Sequence, residues 1–214
     1  MAKLGIITCF LLQQLPETHH NYTLLSYHCP LIFYHGYEKV KPLIQAMLNY
    51  GTYAQTHFGY NLEHLALENA SVAGVTVADL ASFAGTGTQG TAKAPLISVS
   101  LILKTETTMR LYFQPTADVE SLTVTLNGEP LPVTVKRSYS YVDVTNISAK
   151  DLDTSYIVVV NDGFETVEVT YNPMTYCYNV LNAQAGTYQQ DLVDLVKALY
   201  LYNQAANAYF ETAR

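Results

Sequence analysis

One pattern of residues occurs twice in the chain, as Leu43–Phe58 (LIQAMLNYGTYAQTHF) and as Leu195–Phe210 (LVKALYLYNQAANAYF). In each copy Leu, Ala, Tyr, Ala and Phe follow one another at spacings of three, four, four and four residues. This spacing places all five side chains on one face of a helix. The two stripes consist of Leu43, Ala46, Tyr50, Ala54 and Phe58, and of Leu195, Ala198, Tyr202, Ala206 and Phe210.

The stripes predict two helices that pack against each other. Alanines between large side chains let two helix axes approach closely, while tyrosine and phenylalanine fill the flanks. Pro42 is tolerated if it lies in the first turn, where its missing N–H has no acceptor. Gly59 follows Phe58 where a left-handed cap belongs. Gly51, inside the helix, indicates close approach of another part of the chain.

Between the two stripes the hydrophobic period changes to two, which is typical of strands. Apolar residues alternate along Ile97–Leu103, Met109–Phe113 and Leu122–Leu126. Asn127-Gly128 then predicts a hairpin, because both positions of that turn need positive φ. Leu131, Val133 and Val135 are predicted to form the returning strand. Further strands are predicted from Tyr141 to Val144, Tyr156 to Val160 and Val167 to Tyr171.

About seven short strands separated by turns predict an immunoglobulin- or fibronectin-like antiparallel β-sandwich, and with the helices an α+β chain. Leu152 and Tyr156, just before an apolar strand, resemble a tyrosine corner. The missing cysteine pair and tryptophan exclude a true antibody domain. Along the chain, the predicted parts are a weakly structured extension (1–36), the first helix (37–60), an irregular connection (61–94), the sandwich (95–171) and C-terminal helices (172–211). The connection is predicted to contain an edge strand at Val72–Val77. Asn172 is predicted to cap the first of the C-terminal helices.

Composition excludes several classes of partner. The chain of 214 residues has a net charge of −7, and its 11 Lys and Arg are scattered, which argues against nucleic acid. The apolar run Leu4–Leu12 is too short to span a bilayer. The three cysteines show no CxxC spacing, and His19, His20, His28 and His35 with Cys29 lack ligand spacing, so we expect neither disulfides nor a metal. No cofactor is expected.

Catalytic motifs are also missing from the sequence. Gly85–Gly90 matches GxGxxG, but no helix follows it to face a pyrophosphate, which favours a loop. No GxSxG, HExxH or P-loop is present. The aspartates near the strand turns carry no signature of a facing pair such as a glycosidase needs; they are Asp143, Asp151, Asp153 and Asp162. We therefore expect a protein that is not an enzyme.

Tyrosines are the best candidates for a binding site. The chain has 18 Tyr, 7 Phe and no Trp. Tyr139 and Tyr141 flank Ser140, and Tyr112 lies opposite the apolar face of its own strand. Tyrosines in a row on a sheet can stack on sugar rings or anchor a protein partner. The alternative is that these tyrosines pack beneath the helices, which must cover one sheet face.

Four segments resemble a poorly characterised module found near the C-termini of large secreted or wall-associated proteins of gut Firmicutes. The segments are Gln45–Gly51, Ala54–Tyr60, Ile147–Leu152 and, as the most specific part, Leu195–Phe210. The resemblance covers roughly residues 37–210, and residues 1–36 depart from it. It implies an extracellular or cell-wall location within a larger protein and a non-catalytic structural or adhesive role. The alternatives are a carbohydrate-binding module and a hydrolase-associated accessory domain.

Overall fold

The structure of the protein is a computed structural model that describes residues 30–84, 96–103, 106–113, 122–161, 163 and 166–212. The residues from Tyr37 onward form one compact unit, which is divided from the residues before it. Residues 1–29 of the predicted extension (1–36), the GxGxxG segment and Asp162 lie outside the described residues.

The first helix, α1, spans Pro30–Phe58 and is longer than the sequence predicts. Pro42 therefore lies inside the helix, and the prediction that it belongs to the first turn is wrong. An interior proline removes one backbone hydrogen bond and costs about 3 kcal/mol. Glu38, whose carbonyl loses its partner, and Lys41 are exposed, so water can hydrate the break. Gly59 follows with φ of 67°, as a left-handed cap requires.

The C-terminal part holds two helices, α2 (Pro173–Asn182) and α3 (Gln190–Thr212). The predicted cap of α2 is confirmed, because the Asn172 side chain accepts a hydrogen bond from the Met174 N–H and Pro173 takes the first helical position. Cys177, on the apolar face of α2, is fully buried.

Helices α1 and α3 pack together, as the stripes predict. The rings of Tyr50 and Tyr202 stack with centroids 5.7 Å apart, and His57 Nδ1 lies 3.1 Å from Asp191 Oδ2. His57 follows Tyr50 along α1, whereas its partner Asp191 precedes Tyr202 along α3, so the two helices run antiparallel. A stacked tyrosine pair adds about 0.5–1.5 kcal/mol beyond the area that it buries.

The stripe residues differ in how deeply they pack. Ala54, Leu195, Ala198 and Ala206 are buried, whereas Phe58 is 50% exposed. Phe58 ends its helix and makes an edge-to-face contact with the His57 ring at 4.8 Å. The small residues thus mark the closest part of the helix contact, and the aromatic residue at this end of the stripe lies at its margin.

Eight strands are described, and they form two four-stranded antiparallel sheets ordered β1-β2-β6-β5 and β4-β3-β7-β8. Apolar residues that alternate along the strands, among them Met109, Val142 and Val158, are buried in one hydrophobic cluster to which both sheets contribute. The strands are β1 (Leu96–Leu103), β2 (Thr107–Phe113), β3 (Thr123–Leu126), β4 (Glu129–Leu131), β5 (Thr134–Val135), β6 (Ser140–Ile147), β7 (Tyr156–Asn161) and β8 (Thr166–Tyr171).

The hairpin predicted at Asn127-Gly128 is confirmed, with φ of 50° and 90° at the two residues. The single returning strand predicted from Leu131 to Val135 is wrong. Its residues belong to β4 in one sheet and β5 in the other. Pro132 lies between them and has no N–H to continue a ladder, so the chain changes sheets there.

The connection from α1 to β1 has no strand among its described residues, and the edge strand predicted at Val72–Val77 is wrong. A 3-10 helix, Val77–Phe83, forms instead, with Asp79 Oδ2 accepting hydrogen bonds from the N–H and hydroxyl of Thr76. Val72, Val75 and Leu80 are buried. These side chains reach the core from turns and from a 3-10 helix. The two-residue period that predicts a strand therefore does not apply to this segment.

Three polar side chains of α1, which we call the anchor ladder (Asn49, Thr52 and Gln55), hold residues 61–71 against the helix. Asn49 donates to the Ser71 carbonyl and accepts from its N–H, at 2.9 and 2.8 Å. Thr52 does the same with Leu67, at 3.0 and 2.7 Å. The ladder explains Gly51, because a Cβ there would lie 3.2 Å from the Cβ of Ala66.

Candidate functional site

The candidate tyrosines lie on the face of the β1-β2-β6-β5 sheet that points away from the core, which we call the outer face. On β2, Met109, Leu111 and Phe113 are buried, so Arg110 and Tyr112 point the other way. On β6, Ser140, Val142 and Val144 are buried, so Tyr141 and Asp143 point outward. The register pairs Tyr112 with Tyr141 and Arg110 with Asp143.

The structure brings the three predicted tyrosines together in one group, the tyrosine cluster (Tyr112, Tyr139 and Tyr141). The ring centroids of Tyr112 and Tyr139 lie 5.6 Å apart, and Tyr141 lies 6.2 Å from each of them. The rings are inclined to one another by 35–63°. Tyr139 is held by the turn between β5 and β6, in which the Lys136 N–H donates to its carbonyl at 2.8 Å.

An ion pair borders the tyrosine cluster. Arg110 donates to both carboxylate oxygens of Asp143, at 2.6 and 2.7 Å, and its Cζ lies 3.9 Å from the centroid of the Tyr141 ring. The hydrogen bond with Asp143 raises the pKa of Arg110 above its ordinary value, against the lowering effect of desolvation. A two-point ion pair fixes the guanidinium plane, and this plane in turn fixes the Tyr141 ring.

The exposure of the tyrosine cluster bears on the alternative that these rings pack beneath the helices. Tyr112, Tyr139 and Tyr141 are each partly exposed. Among the described residues, the hydrophobic core and the side chains packed against it include none of the three. Tyr50, Tyr176, Tyr178 and Tyr200, all on helices, do pack against that core. The outer face thus presents aromatic surface that the core does not use.

A cavity of about 290 Å³ lies at the edge of β1, between this strand, β8, α2 and the residues before α3. Its lining combines two apolar residues that belong to the core or pack against it with three tyrosines and two further polar residues: Val99, Val180, Tyr171, Tyr176, Tyr188, Ser98 and Asn179. Desolvation raises the pKa of Tyr171 and of Tyr176, so both phenols are neutral at physiological pH. No charged side chain is among the described residues that line this cavity.

The aspartates considered for catalysis have partners in the structure. Asp143 pairs with Arg110, Asp151 accepts from Ser148 Oγ and Lys150 Nζ at 2.6 Å each, and Asp153 accepts from Asn207 Nδ2 at 2.8 Å. Within the described part of the chain, no three His, Cys, Asp or Glu side chains are grouped to hold a metal. None of the helices that the structure describes is long and apolar enough to cross a membrane.

The proposed tyrosine corner lies beside one of these aspartates. Leu152 is buried, and Tyr156 is the first residue of β7. Desolvation, and after it the charges of Asp151 and Asp153, raise the pKa of Tyr156. These positions agree with the motif, whose defining bond from the phenol to the backbone stays a prediction.

Sequence reasoning missed Arg110 and every residue that lines the cavity. The signal for Arg110 was present, because the alternation that turns Tyr112 outward also turns Arg110 outward. The cavity carries no such signal, since it unites Ser98 of β1 with residues of α2 that follow some 80 positions later.

No protein-family model, curated protein or solved structure matches the chain.

Proposed function

We propose that this chain is a non-catalytic adhesion module of a bacterial cell-surface protein and that the tyrosine cluster is its contact surface. The observation that carries the proposal is the convergence of Tyr112, Tyr139 and Tyr141, each partly exposed, on the sheet face opposite the described core. Tyrosine suits such a surface because it offers a large apolar area, a polar hydroxyl and little rotamer entropy to lose. The Arg110–Asp143 pair orders one ring before any partner arrives.

The strand order supports the immunoglobulin-like part of the proposal. If the strands are lettered in chain order, with β4 as C′, the sheets become A-B-E-D and C′-C-F-G. These are the arrangements expected of an immunoglobulin-like sandwich. Adhesive modules often use this architecture, since a rigid sandwich presents a binding surface without chemistry of its own.

The surface location of the parent protein rests on the resemblance of residues 37–210 to the module of Firmicutes surface proteins. The antiparallel pairing of α1 with α3 is consistent with a module inserted in a longer chain, because it brings the Tyr37 end of α1 near the C-terminal end of α3.

A binding experiment on the full chain tests the proposal. The chain is passed over immobilised neutral and acidic glycans and over extracellular-matrix proteins, as wild type and as the Tyr112→Ala/Tyr141→Ala double variant. Loss of two stacking rings at about 1.4 kcal/mol or more in total reduces affinity at least tenfold. Tyr37→Ala/Tyr60→Ala is the matched control, because Tyr37 and Tyr60 are 55% and 53% exposed and lie off the sheet. Equal retention of the cluster variant and the wild type, or retention of neither, would overturn the proposal.

An adhesion module binds either a protein or a carbohydrate on a neighbouring surface. A protein partner is the first candidate, and carbohydrate is the second. The tilted rings form a group with a hydroxyl on each, which suits a polyhydroxylated ligand with apolar ring faces. The neutral polar groups of the cavity at the β1 edge also favour carbohydrate.

A further inference from the structure

A row of side chains on the outer face leads from the tyrosine cluster to the cavity. The register pairs Thr134 of β5 with Tyr141, Tyr141 with Tyr112, and Tyr112 with Ser98 of β1. Residues directly opposite each other on neighbouring strands point to the same face of a sheet. The row Thr134, Tyr141, Tyr112 and Ser98 therefore crosses all four strands at right angles to them.

The last member of this row is also a wall of the cavity. Ser98 lines it from the β1 side, while Tyr176 and Asn179 line it from α2. Neighbouring strands lie about 4.8 Å apart, so the path from Tyr141 on β6 to Ser98 on β1 is roughly 10 Å long. Ser98 is thus common to the row and to the cavity, and it links the tyrosine cluster to the cavity at the β1 edge.

The lining of the cavity limits the chemistry of its ligand. Its polar groups are phenols, a serine hydroxyl and a carboxamide, which both donate and accept hydrogen bonds and are all neutral. A neutral lining gives no compensation for burying a charged group. The volume, about 290 Å³, lies just below the roughly 300–1,000 Å³ typical of drug-sized ligands, so the cavity suits a single ring with its hydroxyl groups.

We propose that a neutral oligosaccharide lies across the outer face along this row and places a terminal sugar ring in the cavity between β1 and α2. The Tyr112 and Tyr141 rings stack on the inner sugars, while Asn179 and Ser98 bind hydroxyls of the terminal ring. This inference rests on the proposed function and names the ligand of the same surface.

The test measures affinity for neutral oligosaccharides of increasing length, built from hexoses and from N-acetylhexosamines, with sialylated oligosaccharides as the charged comparison. Because the chain has no Trp, its intrinsic fluorescence comes from tyrosine, and calorimetry gives an independent reading. The cavity variants are Asn179→Ala and Tyr188→Ala; Asn179 is exposed and Tyr188 is 41% exposed, so both variants keep the core intact. Tyr60→Ala is the matched control.

The expected result is binding of a neutral oligosaccharide that weakens at least fivefold in each cavity variant and about threefold or more in Tyr112→Ala, half of the free energy expected for the two rings together. The cavity variants should also lose the gain in affinity that the terminal sugar provides. If Tyr112→Ala weakens binding and the cavity variants do not, the inference is overturned and the tyrosine surface stands. Exclusive binding of a protein or of sialylated glycans through the cluster also overturns the inference alone. If no oligosaccharide binds, the inference is overturned, and retention on the matrix proteins then decides the proposed function separately.

Discussion

Replacing Gln55 by alanine removes three hydrogen bonds of the anchor ladder at once. Gln55 is 5% exposed, and its Nε2 donates to the carbonyls of Asn61 and His64 at 3.0 and 2.9 Å. Its Oε1 accepts from the Ala66 N–H at 2.7 Å. We expect Gln55→Ala to keep α1 helical, since alanine is the better helix former, and to release the segment that follows the helix.

The magnitude follows from the number and exposure of these bonds. A net contribution of about 1 kcal/mol for each bond gives an upper value near 3 kcal/mol. Asn61 and His64 are exposed, so water replaces part of what the variant loses. We therefore expect the free energy of unfolding to fall by about 2 kcal/mol. The segment covers the Gly51 side of α1, so its release also exposes that close contact.

Urea unfolding followed by far-UV circular dichroism measures the loss, and hydrogen exchange at the Ala66 amide measures local release. Thr56→Ala is the matched control, because Thr56 is the next residue of the same helix, is exposed, and donates only to the Thr52 carbonyl within α1. We expect the control to stay within about 0.5 kcal/mol of wild type. If Gln55→Ala unfolds with the free energy of the control and the Ala66 amide keeps its protection, the three hydrogen bonds do not hold the segment against α1.

Three further predictions concern the core, a helix cap and the outer face. Burial raises the pKa of Cys177 to about 12, so the native thiol should resist Ellman's reagent at pH 8 and react only on unfolding, measured in a chain with Cys9 and Cys29 changed to serine. The pKa of the thiol in the folded state exceeds its unfolded value of about 8.5, so its contribution to stability is complete below pH 8.5 and is lost as the pH rises towards 12. If Cys177→Ala loses stability over this pH range as steeply as the wild type, the thiol is not the cause of the loss. Asn172→Ala should lower the melting temperature and cost about 2 kcal/mol, because the Asn172 side chain accepts from the Met174 N–H at the start of α2 and also donates to the Asp153 carbonyl. Asn182→Ala, at an exposed position at the end of the same helix, should cost little. Equal losses in the two variants would contradict the role of Asn172 as the cap. Asp143→Asn should cost no more than about 1 kcal/mol in low-salt urea unfolding and less in 1 M salt, since both partners are about a quarter exposed; a salt-independent loss would show that the pair acts through packing.

Most parts of the fold that the sequence predicted have local causes. The stripes predict two helices with matching apolar faces because a helix repeats every 3.6 residues, and Asn127-Gly128 predicts its hairpin because the turn itself requires positive φ. The pairing of α1 with α3 follows from the need of both apolar faces for a partner. The errors at Pro42 and Val72–Val77 have a different origin. Pro42 is tolerated in mid-helix because water hydrates the backbone group that loses its hydrogen bond. Val72 and Val75 are buried without forming a strand because contacts with distant parts of the chain outweigh the local preference.

In the candidate site, too, the sequence predicts what depends on neighbouring residues and misses what depends on distant ones. The alternation along β2 and β6 placed Tyr112 and Tyr141 on one face, but only the register of the two strands makes them neighbours. The cavity depends on how α2 lies against β1, which no spacing in the sequence encodes. Tyr171, Tyr176 and Tyr188 therefore could not be distinguished beforehand from the other tyrosines of the chain.

The anchor ladder also has a consequence for how this protein can evolve. Asn49, Thr52 and Gln55 bind main-chain atoms of residues 61–71, which every amino acid except proline offers alike. The shape of the segment is thus inherited from the helix, and its exposed side chains are free to diversify. Ala66 is an exception, because it meets Gly51. A library randomised at Leu62, Glu63 and Glu68 should fold as the parent does, so selection could give this surface new specificities without disturbing the scaffold.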